Sequence, residues 1–86
     1  MNELEKLRVE IDEIDARICE LFEKRMEVAK SIGEYKKQHG LNVLDSKRED
    51  VVLEKASKRI KNKNLEKYYL ELVKELMELS KKYQKE

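Results

Sequence analysis

Residues 4–40 read LEKLRVEIDEIDARICELFEKRMEVAKSIGEYKKQHG, and in them Leu4, Leu7, Ile11, Ile14, Ile18, Leu21, Val28, Ile32 and Tyr35 recur at alternating steps of three and four. That spacing is the apolar seam of a packed helix, not the alternation of a strand. Proline is absent and only two glycines, Gly33 and Gly40, occur. The pattern therefore predicts one nearly uninterrupted helix over residues 2–39, with Gly40 as its C-terminal stop. At ~1.5 Å per residue such a helix is ~57 Å long, whereas a compact chain of 86 residues has a radius of gyration of only ~12 Å. The rest of the chain cannot cover such a rod. The implied assembly is a homo-oligomer in which long helices pack against each other.

Position 25 completes the series, and it is an arginine. A guanidinium stays charged at accessible pH and is costly to bury unless an anion or a fixed polar network meets it. Arg25 therefore either reaches solvent from a frayed seam or awaits something negative.

Composition narrows the classes. Charged residues make up 45% of the chain, yet 20 Lys and Arg against 19 Asp and Glu leave a net charge of +1. That balance argues against binding nucleic acid or an anionic membrane by bulk electrostatics. Neither a signal-peptide core nor a bilayer-spanning apolar run is evident, so a cytoplasmic location is expected. Cys19 is the single cysteine and His39 the single histidine, too few for an intrachain disulfide or a metal-ligand cluster. Cys19 reads as a small buried hydrophobe near a dimer axis.

Beyond Gly40, the linker Leu41–Leu44 leads to Asp45, a good N-cap for a second helix carrying Val51, Val52, Leu53, Ala56 and Ile60. The polar run Lys61–Asn64 breaks it. A third helix from about Leu65 to near the end would turn Tyr68, Tyr69, Leu72, Val73, Leu76, Met77, Leu79 and Tyr83 inward. The expected fold is all-α: one domain over residues 1–86, three helices per chain with a very long first one, intertwined as a homodimer.

Polar residues interrupt each stripe. Lys36, eleven residues past Arg25, lies only ~20° round the helix from it, so two cations share an apolar face with Ala29 and Ile32 between them. Glu49 heads the stripe Val52, Leu53, Ala56, Ile60, with Arg48 beside it, and Ser80 and Gln84 prolong the line Tyr69, Val73, Met77. Each has a bland reading alone: a snorkelling arginine, a carboxylate on a helix dipole, a fraying last turn. Together they are how a helical bundle builds a ligand site in its core. Mostly cationic, with neutral donors and one carboxylate, the set suits a small dianion carrying a hydroxyl. Arg8, seventeen residues before Arg25, is ~26 Å away along the axis and cannot join in cis. An antiparallel twin of the first helix can supply it from the other chain.

The ordered set resembles the all-helical class of chorismate mutases. That family has two arginines seventeen apart and a lysine eleven further on, matched by Arg8, Arg25 and Lys36. It continues with an acidic residue, two spacers and Arg-Glu, matched by Asp45, Arg48 and Glu49, then Ser and, four residues later, Gln, matched by Ser80 and Gln84. The resemblance covers nearly the whole chain and implies a monofunctional enzyme converting chorismate to prephenate, in phenylalanine and tyrosine biosynthesis, without a cofactor. It implies that Arg25 and the partner chain's Arg8 bind the two carboxylates, with Ser80 assisting. Lys36 and Gln84 would donate to the ether oxygen, Glu49 with backbone near Asp45 would hold the ring hydroxyl, and Arg48 would support the substrate. Lys81 departs from the pattern, standing where an apolar wall is expected.

Two other readings compete. Isochorismate-pyruvate lyases share the scaffold and its cationic pocket, although Glu49 suits the hydroxyl position of chorismate. In a non-enzymatic helical oligomer, the stripe polars would only set register.

Overall fold

In the computed structural model, which describes residues 2–86, the chain forms α1 (Glu3–Gln38), α2 (Ser46–Arg59) and α3 (Glu66–Gln84), with a single 3-10 turn at Lys63–Leu65 and no strand among the described residues. The ends follow the local chemistry. Asn2 Oδ1 accepts from the Glu5 amide at 2.8 Å and Asp45 Oδ1 from the Arg48 amide at 3.0 Å, each meeting a free donor of a first helical turn. At the other end of α1, Gly40 takes φ 65°. The Leu41 amide then donates to Lys36 O and the Gly40 amide to Lys37 O, the paired closure that a left-handed residue permits.

α1 and α2 each pack closely on α3, and their backbones do not approach each other as closely. The core is correspondingly thin. Ala29, Ala56 and Val73 are its buried apolar residues, and no large side chain is fully buried among the described residues. The molecule measures 56 × 26 × 15 Å, with a radius of gyration of 16.2 Å, well above the ~12 Å of a compact chain.

The first two-thirds of α1 carries no burial. Leu4, Leu7, Ile11, Ile14, Ile18 and Leu21 are 47% to 65% exposed, and every described residue up to Lys24 is exposed. The inward placement read for Tyr68, Leu72 and Tyr83 does not hold in the single chain, where all three are exposed. Val73 and Ser80 are the buried residues of α3, while Tyr83 lies at its edge, its ring under Lys30 Nζ of α1 at 5.0 Å from the centroid. In the single chain Cys19 is exposed as well, its Sγ 3.5 Å from Glu23 Oε1. The accessible surface of 7433 Å² exceeds the ~5,400 Å² of a compact monomer of this mass. No helix is long and apolar enough to cross a membrane among the described residues.

Candidate active site

A cleft of about 280 Å³ lies between α1 and α2, floored by α3. Arg25, Val28, Ala29, Ile32 and Lys36 line it from α1, Val43 and Asp45 from the linker, Arg48, Glu49 and Val52 from α2, and Met77, Ser80, Lys81 and Gln84 from α3. Seven of the eight site residues read from the sequence meet here: Arg25, Lys36, Asp45, Arg48, Glu49, Ser80 and Gln84. Arg8 does not; it lies on the exposed part of α1.

Arg25 is held but not neutralised. Its Nη1 donates to Ser80 Oγ at 2.6 Å and more weakly to Leu76 O at 3.5 Å. Ser80, buried, in turn donates to Leu76 O at 2.7 Å. The guanidinium is thus fixed against α3 by neutral acceptors, and none of the ion pairs among the described residues includes it. A part-buried cation without a counter-ion favours an anionic ligand. Lys36 is placed likewise. Its Nζ donates to Val43 O at 3.0 Å, which leaves two of its three protons for the cleft.

Gln84 marks the other wall. Its Oε1 is buried without a hydrogen-bond partner, and an orphaned amide end carries a desolvation penalty of ~1–3 kcal/mol. The terminal torsion of a glutamine is roughly two-fold, so the amide can turn either its oxygen or its Nε2 donor toward the cleft. Close approach of α3 to α1 brings it there. A Cβ on Gly33 would lie 2.9 Å from both Cβ and Cγ of Gln84, so only glycine allows this packing.

α2 contributes the acid. Glu49 Oε2 lies 2.9 Å from Lys81 Nζ, which also meets Glu78 Oε1 at 2.7 Å. Hydrogen bonds first to Glu78 and then to Glu49 push the Lys81 ammonium above its ordinary value, and Lys81 in turn is the main cause holding Glu78 below its own. Lys81 is thus a charged strut between α3 and α2, in place of an apolar wall.

Two positions had no functional reading in the sequence. A glycine inside a helix costs ~1 kcal/mol against alanine, which was the available signal for Gly33. For Lys81 the signal was its departure from the pattern, but its partner could not be read, because Glu49 is 32 residues away on another helix.

Comparison with known proteins places this arrangement. A family described as chorismate mutase type II matches residues 7–85. The chain is 32% identical to a chorismate mutase of Methanocaldococcus jannaschii, over 100% of this chain and 88% of that protein. It is 28% identical to a 4-amino-4-deoxychorismate mutase of Streptomyces venezuelae, over 80% of this chain and 67% of the other. A solved structure of a conserved hypothetical protein from Pyrococcus furiosus superposes with a TM-score of 0.80 at 37% identity, covering 98% of this chain and 97% of that one. The chain spans only 14% of the length of a T-protein of Haemophilus influenzae that it matches at 41% identity over 54 residues. With a family match running from α1 to the end of α3 and the cleft formed by the residues of its pattern, this chain belongs to the chorismate mutase type II family.

Proposed function

We propose that this chain rearranges chorismate to prephenate, and that it does so as a homodimer. The observation that carries the reading is the convergence of Arg25, Lys36, Glu49, Ser80 and Gln84, from three helices, on one cleft. Chorismate carries two carboxylates, a ring hydroxyl and an ether oxygen. In the reaction the carbon to oxygen bond of that ether breaks ahead of formation of the new carbon to carbon bond, within one molecule and with no proton transfer. Negative charge therefore develops on the ether oxygen, and fixed donors there bind the transition state more tightly than the ground state. Lys36 Nζ and the Gln84 amide fill that role. A neutral amide also donates at any pH.

Arg25 takes one carboxylate, with Ser80 beside it, in the geometry that suits bidentate pairing. Holding the substrate's side chain in its compact, reactive conformer is an orientation effect that lowers the barrier directly. Glu49, with backbone near Asp45, accepts from the ring hydroxyl, and Arg48 supports the substrate from the first turn of α2.

The second carboxylate falls to Arg8 of the other chain. The exposed stripe from Leu4 to Leu21 supports this, since an antiparallel twin helix laid along it would carry an Arg8 into each cleft. Burying such leucines and isoleucines contributes ~1–2 kcal/mol each, enough to hold two thin cores together.

Incubation with chorismate, following loss of its absorbance and identifying the product, tests the reading. Prephenate is the expected product. Release of pyruvate from isochorismate, with chorismate untouched, would instead favour the lyase, and turnover of neither would favour the structural oligomer. The Streptomyces venezuelae relative raises a third substrate class, in which an amine replaces the ring hydroxyl.

A further inference from the structure

We propose that Lys81 is a specificity-determining residue that, acting through Glu49, makes the cleft select a ring hydroxyl and reject a ring ammonium. This rests on the chorismate mutase reading and names what that site excludes. A lone carboxylate at the hydroxyl subsite would attract a cation more strongly than a neutral donor. Glu49 is not alone. Lys81 Nζ sits 2.9 Å from its Oε2, so the pair presents little net charge while the second carboxylate oxygen still accepts a hydrogen bond. A hydroxyl satisfies that acceptor and brings no charge. An ammonium would satisfy it too, but only beside a second ammonium.

Lys81 is held for this task. Glu78, one turn back on α3, meets the same Nζ at 2.7 Å, and the Lys81 side chain is only 19% exposed, so its charge cannot swing into solvent without leaving both partners. The cleft as a whole agrees. Arg25, Lys36, Arg48 and Lys81 line it with Asp45 and Glu49. Adding the Arg8 proposed from the other chain and the Glu78 carboxylate that shares Lys81, five cations face three carboxylates, and the two positive charges in excess balance the two carboxylates of chorismate. The amino analogue carries the same carboxylates and an added cation, and leaves the cleft over-positive. Without Lys81 the excess falls to one and the analogue becomes the better match.

The test compares kcat/KM for chorismate and for 4-amino-4-deoxychorismate on the full chain and three variants. For wild type, chorismate is preferred. In Lys81→Met the ratio of amine to hydroxyl substrate rises about tenfold, the effect of one partly screened charge. Lys81→Arg keeps the charge and stays within about twofold of wild type, and so does Lys82→Met, which removes the neighbouring exposed charge outside the cleft. Both substrates meet the same folded fraction, so loss of stability cancels in the ratio. Should Lys81→Met not fold, Lys81→Gln makes the same comparison. An unchanged ratio on loss of the Lys81 charge, or an equal change in Lys82→Met, overturns the inference while wild-type turnover of chorismate preserves the parent reading. Wild type inactive on both substrates overturns both.

Discussion

Arg25 stands out in the sequence because a single charge interrupts an otherwise regular stripe. Helical period is a local property, so the same reasoning exposes Lys36, Glu49, Ser80 and Gln84 without any knowledge of tertiary contacts. In the structure Arg25 binds only neutral acceptors, Ser80 Oγ and Leu76 O, and Arg25→Leu removes a part-buried charge while keeping the apolar spacing. Mutase activity is expected to be abolished, with helical content by circular dichroism retained and the melting temperature unchanged or higher. Gly33 was not legible in the same way, because what its missing side chain leaves room for is decided by the approach of a distant helix. Gly33→Ala raises intrinsic helix propensity by ~1 kcal/mol but puts a Cβ 2.9 Å from Gln84. Displacing that donor is expected to lower kcat by about 10- to 100-fold, with a smaller change in KM, in steady-state assays.

Element boundaries were legible wherever a capping side chain or a glycine sets them. Asp45 and Gly40 act as read, and α1 and α2 end within one or two residues of expectation. The α2–α3 junction was legible only as a polar break, since its order comes from side chains reaching across the turn. Lys63 Nζ donates to Ser57 O at 2.6 Å and to Glu66 Oε1 at 3.2 Å, while Ser57 Oγ donates to the same carboxylate at 3.1 Å. Lys63 first, then Ser57, holds the Glu66 carboxyl below its ordinary value. A carboxyl lowered in the folded state adds stability that is fully present above the ordinary value and is lost as pH falls through the lowered one. Denaturation midpoints measured across the acid range should therefore fall less steeply with pH in Glu66→Gln than in wild type. Equal slopes would show that the junction does not depend on this carboxylate.

At the scale of the whole molecule, the length of α1 was legible and its cover was not, because an apolar stripe states that something packs on it without stating what. In the single chain that stripe faces solvent from Leu4 to Leu21, and seven site residues gather at one end of the rod while Arg8 lies at the other. The proposed antiparallel dimer resolves both facts together, and mixing two inactive variants tests it most directly. Arg8→Ala chains retain Arg25, and Arg25→Ala chains retain Arg8. If each site takes one arginine from each chain, random pairing makes half of the dimers hybrid, and each hybrid has one intact site of two. Equimolar mixing after unfolding and refolding together should then restore about a quarter of the wild-type rate of prephenate formation, from variants that are each nearly inactive alone. No recovery from hybrid dimers whose formation is confirmed by mass would contradict the shared site.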